Sequence, residues 1–194
     1  MEDTNNPKLL IVFCGLSGSG KSFNARKLQQ HLPGYTIVGP GILREQLNIK
    51  TYSRKDTPKL LAKVIEQIEE NLRENKGSIV DANLKSLDVR QFFHDTAKEL
   101  GIGSVLIETY CSSETTKSRM EKREQRTLAE NPKHFTVYLE QKRSWQNPLL
   151  DLELERNNHV SLIRINTENK MTDQIKINEN NKSMVNKIME ILKE

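Results

Sequence analysis

The string Gly15-Leu16-Ser17-Gly18-Ser19-Gly20-Lys21-Ser22 follows directly on the apolar run Lys8 to Cys14 (KLLIVFC). It opens the stretch Ser22 to Leu32, which lacks helix breakers and is stopped by Pro33-Gly34. The pattern is GxxxxGKS/T, whose small residues let successive backbone N–H groups point inward at a phosphate. A helix that starts there adds the positive end of its dipole. A plain glycine turn is the competing reading, and strand, loop and helix in this order argue against it.

The loop assigns chemistry to its own residues. Gly15, Leu16, Ser17, Gly18, Ser19 and Gly20 supply the backbone cradle of a nucleotide site. Lys21 bridges the β- and γ-phosphates of ATP as a point charge, and the Ser22 hydroxyl takes one place on Mg2+, which keeps most of its waters.

The rest of the chain alternates in the same way. Tyr35 to Gly39 reads as a second short strand, and Pro40 suits the first position of a helix running to Leu47. Asn48 to Asp56 reads as an open loop. Thr57-Pro58 starts a helix with Leu61, Ile65, Ile68 and Leu72 at helical spacing. Gly77 to Ala82, Gly103 to Cys111 and His159 to Ile165 are three more buried strands, with a helix from about Ser86 after the first. Ser113 to about Ala129 is a very polar helix, and Phe135 to Trp145 another after Asn131-Pro132.

Strands separated by helices imply right-handed crossovers and a parallel sheet covered on both faces. The expected fold is a three-layer α/β/α P-loop NTPase of nucleoside-kinase-like type, with about five parallel strands. Its parts would be a polar tail over 1–7, a kinase domain over 8–170 with an Arg-rich lid at about 113–146, and a polar connection over 171–182 leading to a C-terminal helix on the same domain.

Composition excludes more than it selects. The 30 Lys and Arg against 26 Asp and Glu give a net charge of only +4, which does not announce a nucleic-acid binder. No apolar run approaches the roughly 18 residues that span a bilayer, so a cytoplasmic location without a membrane partner is expected. Cys14 and Cys111 lack metal-ligand spacing and read as buried thiols. The four histidines, His31, His94, His134 and His159, show no paired spacing and read as surface or interface residues.

Two further groups bear on phosphoryl transfer. Asp81 closes the third strand, and the carboxyl ends of parallel strands face the ligand crevice. It could enter the Mg2+ shell or accept a hydroxyl proton, a turn-forming aspartate being the alternative. Arg119, Arg123 and Arg126, with Lys117 and Lys122 between them, form a basic helical segment in which Arg119 and Arg123 share a face. That suits a lid that stabilises transferring charge; a solvated helix paired with Glu121 and Glu124 is the alternative.

In order and type these motifs resemble the P-loop kinases that include phage-type polynucleotide kinase, seryl-transfer-RNA kinase and zeta toxins. The match runs over about residues 8–166, through GLSGSGKS, Arg44, Asp81-Ala82-Asn83, and Arg119 with Arg123. The resemblance implies that Lys21 and Ser22 serve ATP and Mg2+, that Asp81 flanks the acceptor, that Arg44 and Asn83 bind it, and that Arg119 or Arg123 neutralises the phosphoryl group, with Arg126 on the nucleotide. One position departs. Three residues before Arg44, where the family places the aspartate that acts as general base, stands Gly41.

The function expected is an ATP-dependent phosphotransferase acting on a hydroxyl of a small molecule or of a nucleic-acid 5′ end. Aromatic residues are only 5% of the chain, with no basic-aromatic interleaving, which favours the small acceptor. A degenerate ATP-binding module or nucleotide-dependent switch is the competing class, because Gly41 supplies no base. A hydrolytic ATPase is weaker, since no arrangement positions a water.

Overall fold

The computed structural model describes residues 8–47, 57–126 and 135–194. The expected loop over 48–56, the tail over 1–7 and the Asn131-Pro132 break lie outside the described residues, as do the side chains of Glu124 and Arg126.

The central layer is one six-stranded sheet built from β1 (Leu9–Cys14), β2 (Tyr35–Val38), β3 (Gly77–Asp81), β4 (Gly103–Tyr110), β5 (Val160–Asn166) and β6 (Met171–Lys176), in the order β2-β3-β1-β4-β5-β6. The first five run parallel, and β6 is antiparallel to β5. β1 therefore sits in the middle, with its end delivered between β3 and β4. Alternation along β1 divides the core. Leu9, Ile11 and Phe13 face α1 (Lys21–His31) and α8 (Lys182–Lys193), whereas Leu10, Val12 and Cys14 face α3 (Thr57–Arg73) and α4 (Leu87–Glu99).

Three expectations are corrected. Residues 171–176, read as part of an exposed connection, form β6, so the sheet has six strands rather than five. An edge strand pairs on one side only, so its polar sequence needs no apolar run to form. Its hairpin turn is set by Asn side chains: Asn166 Oδ1 accepts from Glu168 N and Asn169 Oδ1 from Met171 N, each at 3.0 Å. In α3 the buried stripe is Leu60, Val64 and Ile68, one position off the expected Leu61 and Ile65, which pack at its margin. His94, read as a surface residue, has no exposed surface.

The reason for His94 is a buried polar cluster. Arg90 lies with its guanidinium on the Asp151 carboxylate, Nε at 2.9–3.0 Å from both oxygens and Nη2 at 2.7 Å from Oδ1. His94 Nε2 lies 3.0 Å from Asp151 Oδ2, and its Nδ1 3.2 Å from Ser104 Oγ. Hydroxyl, imidazole and carboxylate thus stand in line, but Ser104, His94 and Asp151 are all at 0% exposure, where no substrate reaches them. The cluster is a tether: it fastens α4 to α7 (Leu149–Leu152).

Candidate functional site

α1 begins without help from its own sequence. Gly20 is its N-cap, no side chain caps it, and its first turn contains no acid. Its leading N–H groups are therefore left for an external anion. Gly15, Gly18 and Gly20 have φ of +142°, +81° and +97°, a region that side chains rarely adopt. A Cβ at Gly15 would lie 2.4 Å from Thr109 O, and one at Gly18 2.9 Å from Thr116 Cγ2. At these three positions the loop has room for backbone only. Gly15→Ala should weaken nucleotide binding by at least about tenfold through backbone displacement of the loop. A titration giving wild-type affinity would contradict this account of the cradle.

The neighbouring strands clamp the loop at Ser19. From β4, Thr109 Oγ1 meets Ser19 Oγ at 2.7 Å; from the end of β5, Thr167 Oγ1 donates to Ser19 O at 2.9 Å. Lys21 is buried, its ammonium 2.7 Å from Gly15 O and 2.9 Å from Leu16 O. Across the opening, α6 (Phe135–Arg143) contributes Gln141, whose Oε1 accepts from Ser17 N at 3.1 Å. The Ser22 hydroxyl belongs to an exposed residue at the mouth of the loop.

Parallel pairing places the expected acid. Asp81 is in register with Phe13, two residues before the loop, and is half-buried. β2 pairs with β3 up to Val38 and Val80, and a Cβ at the next residue, Gly39, would lie 2.3 Å from Asp81 O, so the chain leaves β2 in close backbone contact with the end of β3. α2 (Pro40–Gln46) starts immediately after this contact, and Gly41 is its second residue. Gly41 is exposed, and a Cβ there would meet nothing within 4 Å. Arg44 is half-buried with its Nε 3.2 Å from Pro40 O, and Asn83 is exposed beyond Asp81.

On the opposite wall stands α5 (Ser113–Arg126). Arg119 Nη1 donates to Thr167 Oγ1 at 2.8 Å and to Gly18 O at 3.3 Å, while Nη2 donates to Thr167 O at 2.8 Å. Arg123, one turn on, is exposed. The base of α5 is tied to the β5–β6 turn by Glu168, which accepts from Ser112 Oγ at 2.6 Å and also from Thr115 Oγ1. These hydroxyls, Ser112 foremost, hold the Glu168 carboxyl below its ordinary range.

Beside the loop, a cavity is lined by Leu16, Glu108, Tyr110, Cys111, Tyr138 and Trp145. Glu108, 4% exposed, is answered by Arg164 Nε at 2.5 Å. Cys14 is buried as expected, and burial, with Glu108 adding to it, pushes its thiol far above the ordinary range. Cys111 is only half-buried, on the cavity side.

Sequence reasoning missed Thr109, Thr167 and Gln141. Each acts on the loop from 90 or more residues away through one polar atom, which leaves no local spacing to read. Glu108, an acid inside an otherwise apolar strand, was the nearest signal. Among the described residues no group of three or more His, Cys, Asp or Glu is placed to hold a metal, and no helix is long and apolar enough to cross a membrane.

Comparison with known proteins agrees with this geometry. No curated protein matches the chain by sequence. Among solved structures it is similar to Kti12 of Chaetomium thermophilum in complex with ADP-AlF3, at a TM-score of 0.64 and 16% identity over 94% of this chain and 98% of that one. It is similar to the APS kinase CysC of Mycobacterium tuberculosis in complex with AMPPNP and APS, at 0.56 and 18% over 95% and 99%. A gluconokinase of Sinorhizobium meliloti 1021 follows at 0.55 and 16% over 96% and 92%. At such identities the likeness establishes the fold, a P-loop kinase-like α/β/α domain with a mostly parallel sheet. The model of the AAA domain family matches residues 10–148, well over half of the 194 residues, and the chain belongs to that family.

Proposed function

We propose that the protein moves the γ-phosphate of ATP to a hydroxyl acceptor, and that the acceptor is a small molecule. The observation that carries this reading is the register of the parallel sheet, which sets the half-buried Asp81 beside Phe13 at the foot of the phosphate loop and brings Gly39, the residue before α2, against Asp81 O. Similar folds include a gluconokinase and an APS kinase as well as an RNA repair complex, so the small acceptor rests on the scarcity of aromatic residues, 5% of the chain.

In this reading the loop amides and Lys21 hold the phosphates, and Lys21 moves from the Gly15 and Leu16 carbonyls onto them. Mg2+, when bound, neutralises charge on the phosphate oxygens, and Ser22 and Asp81 are the residues that would hold it. Asp81 also accepts the proton of the acceptor hydroxyl, because Gly41 offers no carboxylate. Arg44 and Asn83 flank the acceptor, and Arg119 and Arg123, stacked one turn apart, carry positive charge over the loop. Arg126, later on the same helix, is assigned to the nucleotide by the family resemblance alone.

The deciding experiment incubates the protein and ATP-Mg2+ with pooled sugars, nucleosides and 5′-hydroxyl oligonucleotides. Labelled product in the small-molecule pools is expected. Asp81→Asn should lower that transfer by about 10²-fold or more, the usual contribution of a general base. A variant that turns over like the wild type would remove Asp81 from the mechanism.

Gly41 favours one second reading, a nucleotide-dependent switch that binds ATP without transferring it. Tight nucleotide binding with no product from any pool would establish that reading in place of the first.

A further inference from the structure

We propose that Thr167 is a positioning residue that joins the lid arginine to the phosphate loop, so that nucleotide affinity depends on the two being held as one unit. The inference rests on the nucleotide site argued above and extends it to a residue outside every motif in the chain.

Thr167 is the first residue after β5, and it makes contacts in four directions. Its N–H donates to Tyr110 O at 2.9 Å, which anchors it to the end of β4. Its hydroxyl donates to Ser19 O at 2.9 Å, at the apex of the loop. The same oxygen accepts from Arg119 Nη1 at 2.8 Å, while its carbonyl accepts from Nη2, also at 2.8 Å. Its methyl lies against Gly20, where an added Cβ would approach Cγ2 to 3.2 Å.

A hydroxyl has one proton and two lone pairs; of its two acceptors, Ser19 O at 2.9 Å and Tyr110 O at 3.3 Å, the nearer takes the proton and leaves the oxygen turned toward the guanidinium. The two bonds to Thr167 and a third to Gly18 O fix the plane of a side chain that otherwise has many rotamers. Arg119 is thereby preorganised at the rim of the cradle, and the ordering cost does not fall on nucleotide binding. Thr167→Val keeps the methyl and the β-branch but removes the hydroxyl, which cuts the link through Ser19 and leaves Arg119 held by the Thr167 and Gly18 carbonyls alone.

The test is calorimetric titration with AMPPNP-Mg2+ in the absence of acceptor. Thr167→Val should weaken binding by about tenfold or more, the effect of losing a hydrogen bond to a charged group. Thr167→Ser, which retains the hydroxyl, should stay within about threefold of wild type by the same reasoning. In an Arg119→Ala background the Thr167→Val penalty should largely vanish, because the partner is already gone. Arg119 is half-buried, so the melting temperature of each variant is recorded beside its affinity, and should Thr167→Val fail to fold, Thr167→Ala replaces it in the cycle. Wild-type affinity in Thr167→Val, tighter binding, or equal penalties in both backgrounds would overturn the proposal. Wild-type protein that binds no AMPPNP would instead overturn the nucleotide reading beneath it.

Discussion

Lys21→Ala is expected to abolish phosphoryl transfer, lowering the rate by about 10³-fold or more while the protein remains folded. The argument starts from where the ammonium is. It is buried at the base of the cradle and bonded to the Gly15 and Leu16 carbonyls, so the loop already bends around a positive charge. Charge that develops on a transferring phosphoryl group in such a desolvated site is stabilised far more strongly than in water. Removing the only cation within the loop sequence forfeits that term. Lys21→Arg should rescue little, because a planar fork does not fit where a compact point charge sat. A melting temperature within a few degrees of wild type, alongside lost transfer, is the expected pair of results. Transfer that survives Lys21→Ala would mean that the loop is not where phosphate is moved.

That prediction was open to sequence reasoning because everything it needs lies within eight consecutive residues and the elements on either side. The same holds for Asp81, since a residue that closes a buried strand of a parallel sheet can end only at the ligand edge. Features built from distant residues left no such trace. β6 is polar because it pairs on one side, so it resembled a connection until its Asn-governed turn was seen. Thr167 lies 48 residues from Arg119 and 148 from Ser19, and a lone threonine after a strand carries no periodic signal. Gly41 was legible as a missing carboxylate, but that α2 starts against the end of β3 follows only from the contact of Gly39 with Asp81.

The second large effect concerns a residue that sequence reasoning passed over entirely. Asp151→Ala should destabilise the protein by about 3–5 kcal/mol, the usual cost of breaking a buried ion pair from one side. For a chain of this size that lowers the melting temperature by about 10 °C. The severity follows from what remains: Arg90, at 0% exposure, would keep its charge with the carbonyls of Leu84 and Asn147, at 3.1 and 3.4 Å, and the Trp145 ring at 5.9 Å to answer it in place of the carboxylate. His94 would lose its acceptor as well. Replacing both partners by apolar residues, Arg90→Met with Asp151→Leu, should recover most of the loss, because no charge is then stranded. The pair therefore matters less as net stability than for what it aligns. Leu84 O lies three residues after Asp81, and Gln146 N donates to Lys85 O at 2.9 Å, so the cluster pins the Asp81-Ala82-Asn83 segment against the end of α6. The double variant should melt near wild type yet transfer phosphate more slowly at every temperature. If instead its transfer rate equals that of the wild type, the cluster serves folding alone and the acceptor side of the cleft is positioned by β3 itself.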